Sequence, residues 1–403
     1  MKRILIFSLA YYPFVGGDGV AIKEITKRIS PQDIEFHMVT LRFDSTIPQF
    51  ETIGNVQVHR IGWGYKKPTS EAMRKLRYRF IKLWFQFAAA FYGIRLHRKE
   101  KFDAVWSMMA HSAGVPGALF KFFHPSVGFI LTLQEGDPPE YVERVMRPLW
   151  LLFARAFTSA DVVQAISTFL GVWARRRGFT GPLEVIPNGV DTSNFAKKYS
   201  PEELAVLRRS VGKKEGDVFL ITTSRLVHKN AVDDVIRALA ALPSNIHFLI
   251  LGIGSEEEAL RALAKSLHVE DRVRFLGFVT HEEMPNYLCV SDIFVRPSRS
   301  EGMGNSFIEA MAAGLPIVAT QEGGIADFLF DPKKNFGKEQ TGWAVDKNSP
   351  EQIAQAVNDI LSNKNKTAQV ISSARALAEE QYDWARIASA MQERVFNRVF
   401  KIS

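Results

Sequence analysis

Short runs of β-branched and other apolar residues alternate with amphipathic stretches along the whole chain. The first kind predicts strands and the second helices, and their alternation predicts βαβ units with mainly parallel sheets. The first half offers RILIFSLA, EFHMVTL, VQVHRIG, AVWSMM, GFILTLQ, VVQAIS and LEVIP; the second offers VFLITTS, HFLILG, VRFLGF, DIFVRP, PIVAT and GWAV. The expected fold class is therefore α/β, with two Rossmann-like sheets. Between them, PNGVDTSNFAKKYSPEELAVLRR passes from a Pro-Asn-Gly turn through polar residues into a new helix at Ser200-Pro201. This puts a first domain at 1–195 and a second at 196–384, with a helical segment from about 385 to 403 closing the chain. No internal repeat or low-complexity tract interrupts the pattern.

Composition agrees. At 403 residues the chain suits two domains of roughly 200 residues each. Its one cysteine, Cys289, excludes a disulfide within the chain and reads as a buried, inert thiol. The start MKRILIFSLAYYPF has the charge of a secretory signal, but its apolar run is short and aromatic residues with Pro13 replace a cleavage site. It reads as a first strand, and the expected location is cytoplasmic. The net charge of +8 is uneven: residues 1–195 hold 25 Lys/Arg against 16 Asp/Glu, or +9, and the rest 26 against 27, or −1. Lys66 to Lys101 alone holds 11 against 2, again +9.

Open α/β sheets bind ligands at the carboxyl ends of their strands, where helix N-termini present free N–H groups. Four stretches stand at such ends. YYPFVGGDGV carries Gly16 and Gly17 before a helix, either a tight turn or a loop that lets a ligand approach the backbone. SRLVHKN carries Arg225 and Lys229, either a solvated loop or a diphosphate grip. LGIGSEEEAL places Gly252 and Gly254 between strand and helix, a fragment of a dinucleotide fingerprint without its third glycine. EGMGNSFIEAMAAG sets Glu301 before a turn of Gly302, Met303, Gly304 and Asn305, then Ser306 and Glu309 in the helix behind it. Ser306 and Glu309 match the capping box S-x-x-E, which would give Glu309 a purely structural task; Glu301 precedes the helix and has no such account. There is no D-x-D, H-E-x-x-H or cysteine cluster, so no metal and no cofactor is expected; P-loop and G-x-S-x-G signatures are absent too.

Together these motifs resemble the retaining glycosyltransferases of family 4. The match runs through Gly16-Gly17, ISTFL, IPNGVD with Phe195, SRLVHKN, FLGFV, the pair Glu301 and Glu309, Gly323-Gly324 and QYDW. The resemblance implies a GT-B fold, two Rossmann-like domains with parallel sheets facing across a cleft, the closing helix returning to the first. It implies transfer of a UDP- or GDP-linked sugar to a hydroxyl of a glycan or lipid-linked acceptor, the nucleotide-sugar being a co-substrate, in polysaccharide or glycolipid synthesis. On this reading Glu309 holds the ribose and Glu301 the donor sugar, with Gly302, Met303, Gly304, Asn305 and Ser306 around sugar and diphosphate. Arg225 and Lys229 bind the diphosphate; Gly16, Gly17, Gln134 and Gly252 complete the donor site.

Two positions depart from the family. Its usual lysine falls on Asn230, with Lys229 one place earlier, and its usual T-x-H reads Thr132-Leu133-Gln134. Gln134 still offers a hydrogen bond but does not titrate. In the basic segment, aromatic residues interleave with arginines before an apolar patch from Leu83 to Ile94, too short to span a bilayer. It reads either as a helix with its aromatic face in the core or as one lying on an anionic membrane surface, peripheral to the inner face. Two other classes are weighed: a nucleotide-sugar epimerase of the same fold, and a nucleic-acid binder. The charge is confined to one segment with no recognised motif, so no nucleic acid is expected as partner.

Overall fold

The computed structural model describes residues 1–14, 16–64, 66 and 76–402; most of the basic stretch between Tyr65 and Lys75 lies outside them. Two compact units emerge, Met1–Gly189 with Trp384–Ser403, and Val190–Asp383. The segment Val190 to Phe195 thus goes with the second unit, where Val190 bridges to Asp383.

The first unit runs β1 (Lys2–Phe7), α1 (Gly17–Thr26), β2 (Ile34–Leu41), β3 (Phe50–Ile53), β4 (Val56–Ile61) and α2 (Leu76–Glu100). It continues with β5 (Ala104–Met108), α3 (Val115–Phe123), β6 (Gly128–Leu133), α4 (Pro139–Val145) and α5 (Trp150–Thr158). Then come β7 (Val162–Ala165), α6 (Thr168–Arg176) and β8 (Leu183–Val185). Its sheet has the order β3-β4-β2-β1-β5-β6-β7-β8, parallel except for β3 against β4. From Ile4 to Phe7 strand β1 is apolar and buried because both faces are covered. On one face Ile4 and Ile6 meet Trp384, Ile387, Met391, Val395, Phe396 and Val399 of the closing helical segment, which includes α15 (Trp384–Ala390) and α16 (Asn397–Ile402). Burying each large side chain there is worth roughly 1.5–3 kcal/mol.

On the other face lies α2, which presents Phe85, Ala89, Ala90 and Gly93 inward. A Cβ on Gly93 would stand 2.7 Å from the Phe7 ring, so at this point of the helix only glycine lets it settle so close to β1. Phe85 is buried earlier in the helix, while Phe80, Trp84, Phe87 and Phe91 are exposed, with Leu83 beside them.

The second unit contains α7 (Thr192–Phe195), α8 (Pro201–Ser210), β9 (Val218–Thr223), α9 (Val232–Ala240), β10 (Ile246–Leu251) and α10 (Glu257–Ser266). After them come β11 (Val273–Gly277), α11 (Met284–Leu288), β12 (Ile293–Arg296), α12 (Asn305–Ala312), β13 (Ile317–Ala319) and β14 (Trp343–Ala344). Helices α13 (Pro350–Ser362) and α14 (Lys364–Gln381) complete it. The predicted helix start at Ser200-Pro201 is a full capping box: the Ser200 hydroxyl accepts from the Glu203 amide, and the Glu203 carboxylate accepts from the Ser200 amide. The sheet is parallel, with order β11-β10-β9-β12-β13-β14. Strand order reverses between β9 and β12 here and between β1 and β5 in the first unit, and at such switch points an α/β sheet opens a crevice at its strands' carboxyl ends.

Candidate active site

At the switch point of the second unit, β12 ends on Arg296, a buried arginine in an otherwise apolar run. Its guanidinium donates through Nη1 to Ser306 Oγ at 2.6 Å and through Nη2 to Asn230 Oδ1 at 3.2 Å, and Nη2 also pairs with the Glu301 carboxylate. Asn230 in turn donates to the Arg225 carbonyl at 2.7 Å. One cation thus ties together the loop after β9, the turn after β12 and the first turn of α12.

Glu301 is buried, and its Oε1 also accepts the Gly302 amide at 3.1 Å. Its carbonyl accepts the Gly324 amide at 3.1 Å. Gly323 sits at φ +61°, and a Cβ there would stand 1.9 Å from the Glu301 carbonyl oxygen. Gly304 precedes α12 in a left-handed conformation, and no side chain caps the helix. Its first amides and positive dipole end are left for an anion. Gly302 and Met303 are buried within the turn, with Asn305 and Ser306 partly exposed beside it.

The capping-box reading of Ser306 and Glu309 does not hold. Ser306 lies inside the helix with its hydroxyl taken by Arg296, and the Glu309 carboxylate turns the other way, 3.0 Å from Nε2 of His281. His281 packs edge-on against Phe195 of α7. Its pKa is raised above the ordinary imidazole value, chiefly by the hydrogen bond to Glu309, against a smaller opposing effect of burial.

Arg225 is exposed, and its guanidinium makes no ion pair among the described residues; Lys229 is partly exposed. Asn230, at the place where the family carries lysine, is buried within the Arg296 network. Nearby Arg299 has a different task. It grips Asp233 with both terminal nitrogens at 2.9 Å, reaches Asp234 at 3.0 Å, and donates to the His228 carbonyl and Asn348. That grip holds the Asp233 carboxyl below the usual range despite the opposing effect of burial, whereas burial pushes Asp234 up. The glycines of LGIG have a packing reason: a Cβ on Gly252 would lie 1.8 Å from the Ser224 carbonyl oxygen, and one on Gly254 2.1 Å from that of Leu226. The loop after β10 thereby braces the loop that carries Arg225.

In the first unit, Gly16 and Gly17 stand exposed at the start of α1, and a Cβ on Gly17 would meet nothing within 4 Å. Packing does not demand glycine at Gly17. Gln134, just past β6, exchanges two hydrogen bonds with Asn188 of IPNGVD, at 3.0 and 3.3 Å. Next to it Glu135 is fully buried, accepting from the Gln134 amide at 3.0 Å, with Nδ1 of His111 at 3.4 Å. The carboxyl of Asp18, in the first turn of α1, is pushed up by burial.

Sequence reading missed Arg296, His281, Asn188, Glu135 and His111. Two of them carried a signal: Arg296, a charge at the end of DIFVRP, and Asn188, inside IPNGVD. Of the proposed residues, the structure gathers Glu301, Gly302, Met303, Gly304, Asn305 and Ser306 around Arg296, with Arg225 joined through its carbonyl. Glu309 faces His281, while Gly16, Gly17 and Gln134 belong to the other unit.

Residues 203–377 match the family model for glycosyl transferases group 1, and residues 15–194 that for glycosyltransferase family 4. The chain is 31% identical over 255 residues to a GDP-mannose-dependent alpha-(1-6)-phosphatidylinositol monomannoside mannosyltransferase of Mycolicibacterium smegmatis, covering 60% of this chain and 64% of that one. It is 23% identical over 355 residues to the alpha-monoglucosyldiacylglycerol synthase of Acholeplasma laidlawii, covering 83% and 84%. It spans just under two thirds of the length of the mannosyltransferases it matches. Among solved structures, the sucrose-phosphate synthase of Thermosynechococcus elongatus superposes with a TM-score of 0.81 at 19% identity, covering 100% of both chains. Anabaena HepE in complex with UDP-glucose gives 0.76 at 20%, covering 98% of this chain and 100% of that one. At such identities the likeness shows the fold, which is GT-B. With two family models tiling its two units, the chain belongs to glycosyltransferase family 4.

Proposed function

We propose that this protein is a retaining glycosyltransferase that moves a sugar from a nucleotide-sugar to a hydroxyl of a glycan or lipid-linked acceptor. The observation that carries the reading is the switch point of the second unit. There a buried carboxylate, Glu301, is fixed beside an uncapped helix N-terminus, with the exposed Arg225 on the adjoining loop. A sugar diphosphate needs those three things: an acceptor for sugar hydroxyls, amides for phosphate oxygens and a mobile cation for the leaving group. As the bond from the anomeric carbon to the β-phosphate breaks, negative charge gathers on that phosphate, where Arg225, Lys229 and the amides of the α12 turn stabilise it without a metal ion. The acceptor oxygen bonds to the anomeric carbon from the same face and its proton passes to the departing phosphate, which retains the configuration. The donor is a UDP- or GDP-sugar, in line with the mannosyltransferase and the UDP-glucose complex among the similar proteins.

Similar proteins named for lipid-linked acceptors support a lipid-linked acceptor here, for cell-surface polysaccharide or glycolipid synthesis. No helix among the described residues is long and apolar enough to cross a membrane. Instead α2 carries an outward stripe of Phe80, Leu83, Trp84, Phe87 and Phe91, with Trp63 packed on Trp84 at 5.1 Å between ring centroids. Lys82, Arg95, Arg98 and Lys99 stand exposed along the same helix. Aromatics flanked by cations suit the anionic inner leaflet, at roughly 1 kcal/mol per cation near the surface.

Thermal-shift measurements with UDP, GDP and ADP test the donor. A nucleotide at 100 times its dissociation constant adds about 2.7 kcal/mol of stability, and no response to any of the three refutes the reading. Sedimentation with anionic vesicles tests the surface. Phe87→Glu with Phe91→Glu is expected to abolish co-sedimentation, and unchanged binding removes the membrane from the proposal.

A further inference from the structure

We propose that His281 is a positioning residue of the donor site, occupying one oxygen of the Glu309 carboxylate and yielding it to the nucleotide ribose with release of a proton. The inference rests on the reading of Glu309 as the ribose-binding residue and adds its regulation.

Glu309 is a buried carboxylate with one polar partner: Oε1 meets His281 at 3.0 Å, and Oε2 carries no hydrogen bond among the described residues. The imidazole is half-exposed and set at its place by Phe195, whose ring lies edge-on at 5.1 Å. The charged groups acting on the ring are Glu309 from α12, the adjacent Glu282, and Asp191 from the turn before α7. All three are acidic and favour the imidazolium, which holds Oε1 by a charge-assisted bond.

A ribose presents two neighbouring hydroxyls and engages both oxygens of a carboxylate, so its full grip requires Oε1. Parting a neutral imidazole from that oxygen costs less than parting an imidazolium. Nucleotide binding therefore favours neutral His281 and lowers its pKa. By linkage, affinity falls by up to about tenfold per pH unit once the solution is more acidic than the raised pKa of free His281.

The test uses the full chain and the nucleotides UDP and GDP. Calorimetric dissociation constants are taken between about pH 5.5 and 8.5, in two buffers of different ionisation heat to count protons. His281→Asn provides the comparison that cancels titration of the nucleotide's own phosphate. Wild type is expected to release a proton and to lose affinity in acid more steeply than the variant, the two converging within about twofold at the alkaline end. In NMR titrations, the His281 resonance should have a higher pKa in the free protein than with nucleotide. Equal pH dependence in wild type and variant, or an unmoved His281 pKa, overturns the inference while the donor site stands. Failure of both nucleotides to bind at any pH overturns the donor site and the inference with it.

Discussion

On the proposed function Glu301 binds the donor sugar, yet it also neutralises a buried cation, and the second duty sets what its removal does. In Glu301→Ala, Arg296 keeps its bonds to Ser306 and Asn230 but loses its only ion-pair partner among the described residues, at a position only 8% exposed. Its Nε already lacks a partner. Removing one member of a buried pair costs about 3–5 kcal/mol, because the remaining charge stays out of water. For a unit of this size each kcal/mol lowers the melting temperature by about 2–4 °C, so the drop should be about 6–20 °C. Hydrogen exchange at β12 and α12, with the melting temperature as a global check, reads the loss where it arises. Replacing the pair together, Glu301→Leu with Arg296→Met, should recover most of the stability, since apolar residues of similar volume replace such pairs at little cost. Transfer should remain absent in the double variant. A loss below about 1 kcal/mol in Glu301→Ala, or no recovery in the double variant, refutes the account of Glu301 as counterion.

Gly323→Ala pushes a Cβ to 1.9 Å from the Glu301 carbonyl oxygen at a left-handed φ, and is expected to cost on the order of 2 kcal/mol or more in urea unfolding. Arg225→Ala should leave stability within about 0.5 kcal/mol and cut transfer by about a hundredfold. Arg299→Ala should do the reverse in stability, losing roughly 2–3 kcal/mol because Asp233 and Asp234 lose their partner, as equilibrium unfolding would show. Burial lowers the pKa of His37, His97 and His124 in the first unit and that of His59 to about 4, so the unfolded chain binds more protons between there and about pH 6.5. Stability of that unit should therefore fall as pH drops through this window, and His59→Phe should flatten the fall measured by hydrogen exchange.

The strands were legible because parallel strands buried on both faces leave unbroken apolar runs. β3 was not: FETI is four residues long, lies on the sheet edge and alternates exposed with partly covered positions. The helix at 76–100 was legible as a helix but not in its orientation. Hydropathy ranks Phe87 and Phe91 above Ala89 and Gly93, yet the closeness of β1 at Gly93 turns that small residue inward and leaves Phe87 and Phe91 exposed. Cys289 is half-buried rather than buried, though burial still pushes its thiol up to about 11, as suits an inert group. In the site, spacing within one segment revealed Glu301 and Glu309. Their partners Arg296 and His281 come from β12 and from the loop beyond β11, and only the fold shows who meets whom.

Those partners differ in kind, and on the proposed function the difference separates the two glutamates. Arg296 is buried and pairs with Glu301, which holds that carboxylate in place as an acceptor. His281 is half-exposed and titrates, so the field around Glu309 changes with pH. If the sugar meets Glu301 and the ribose meets Glu309, acid should weaken capture of the donor before it slows transfer from donor already bound. The apparent KM for the nucleotide-sugar should then rise as pH falls while kcat at saturation stays nearly level. A kcat that falls in parallel, with KM unchanged, would place the titrating group at the sugar end and contradict the assignment of the two carboxylates.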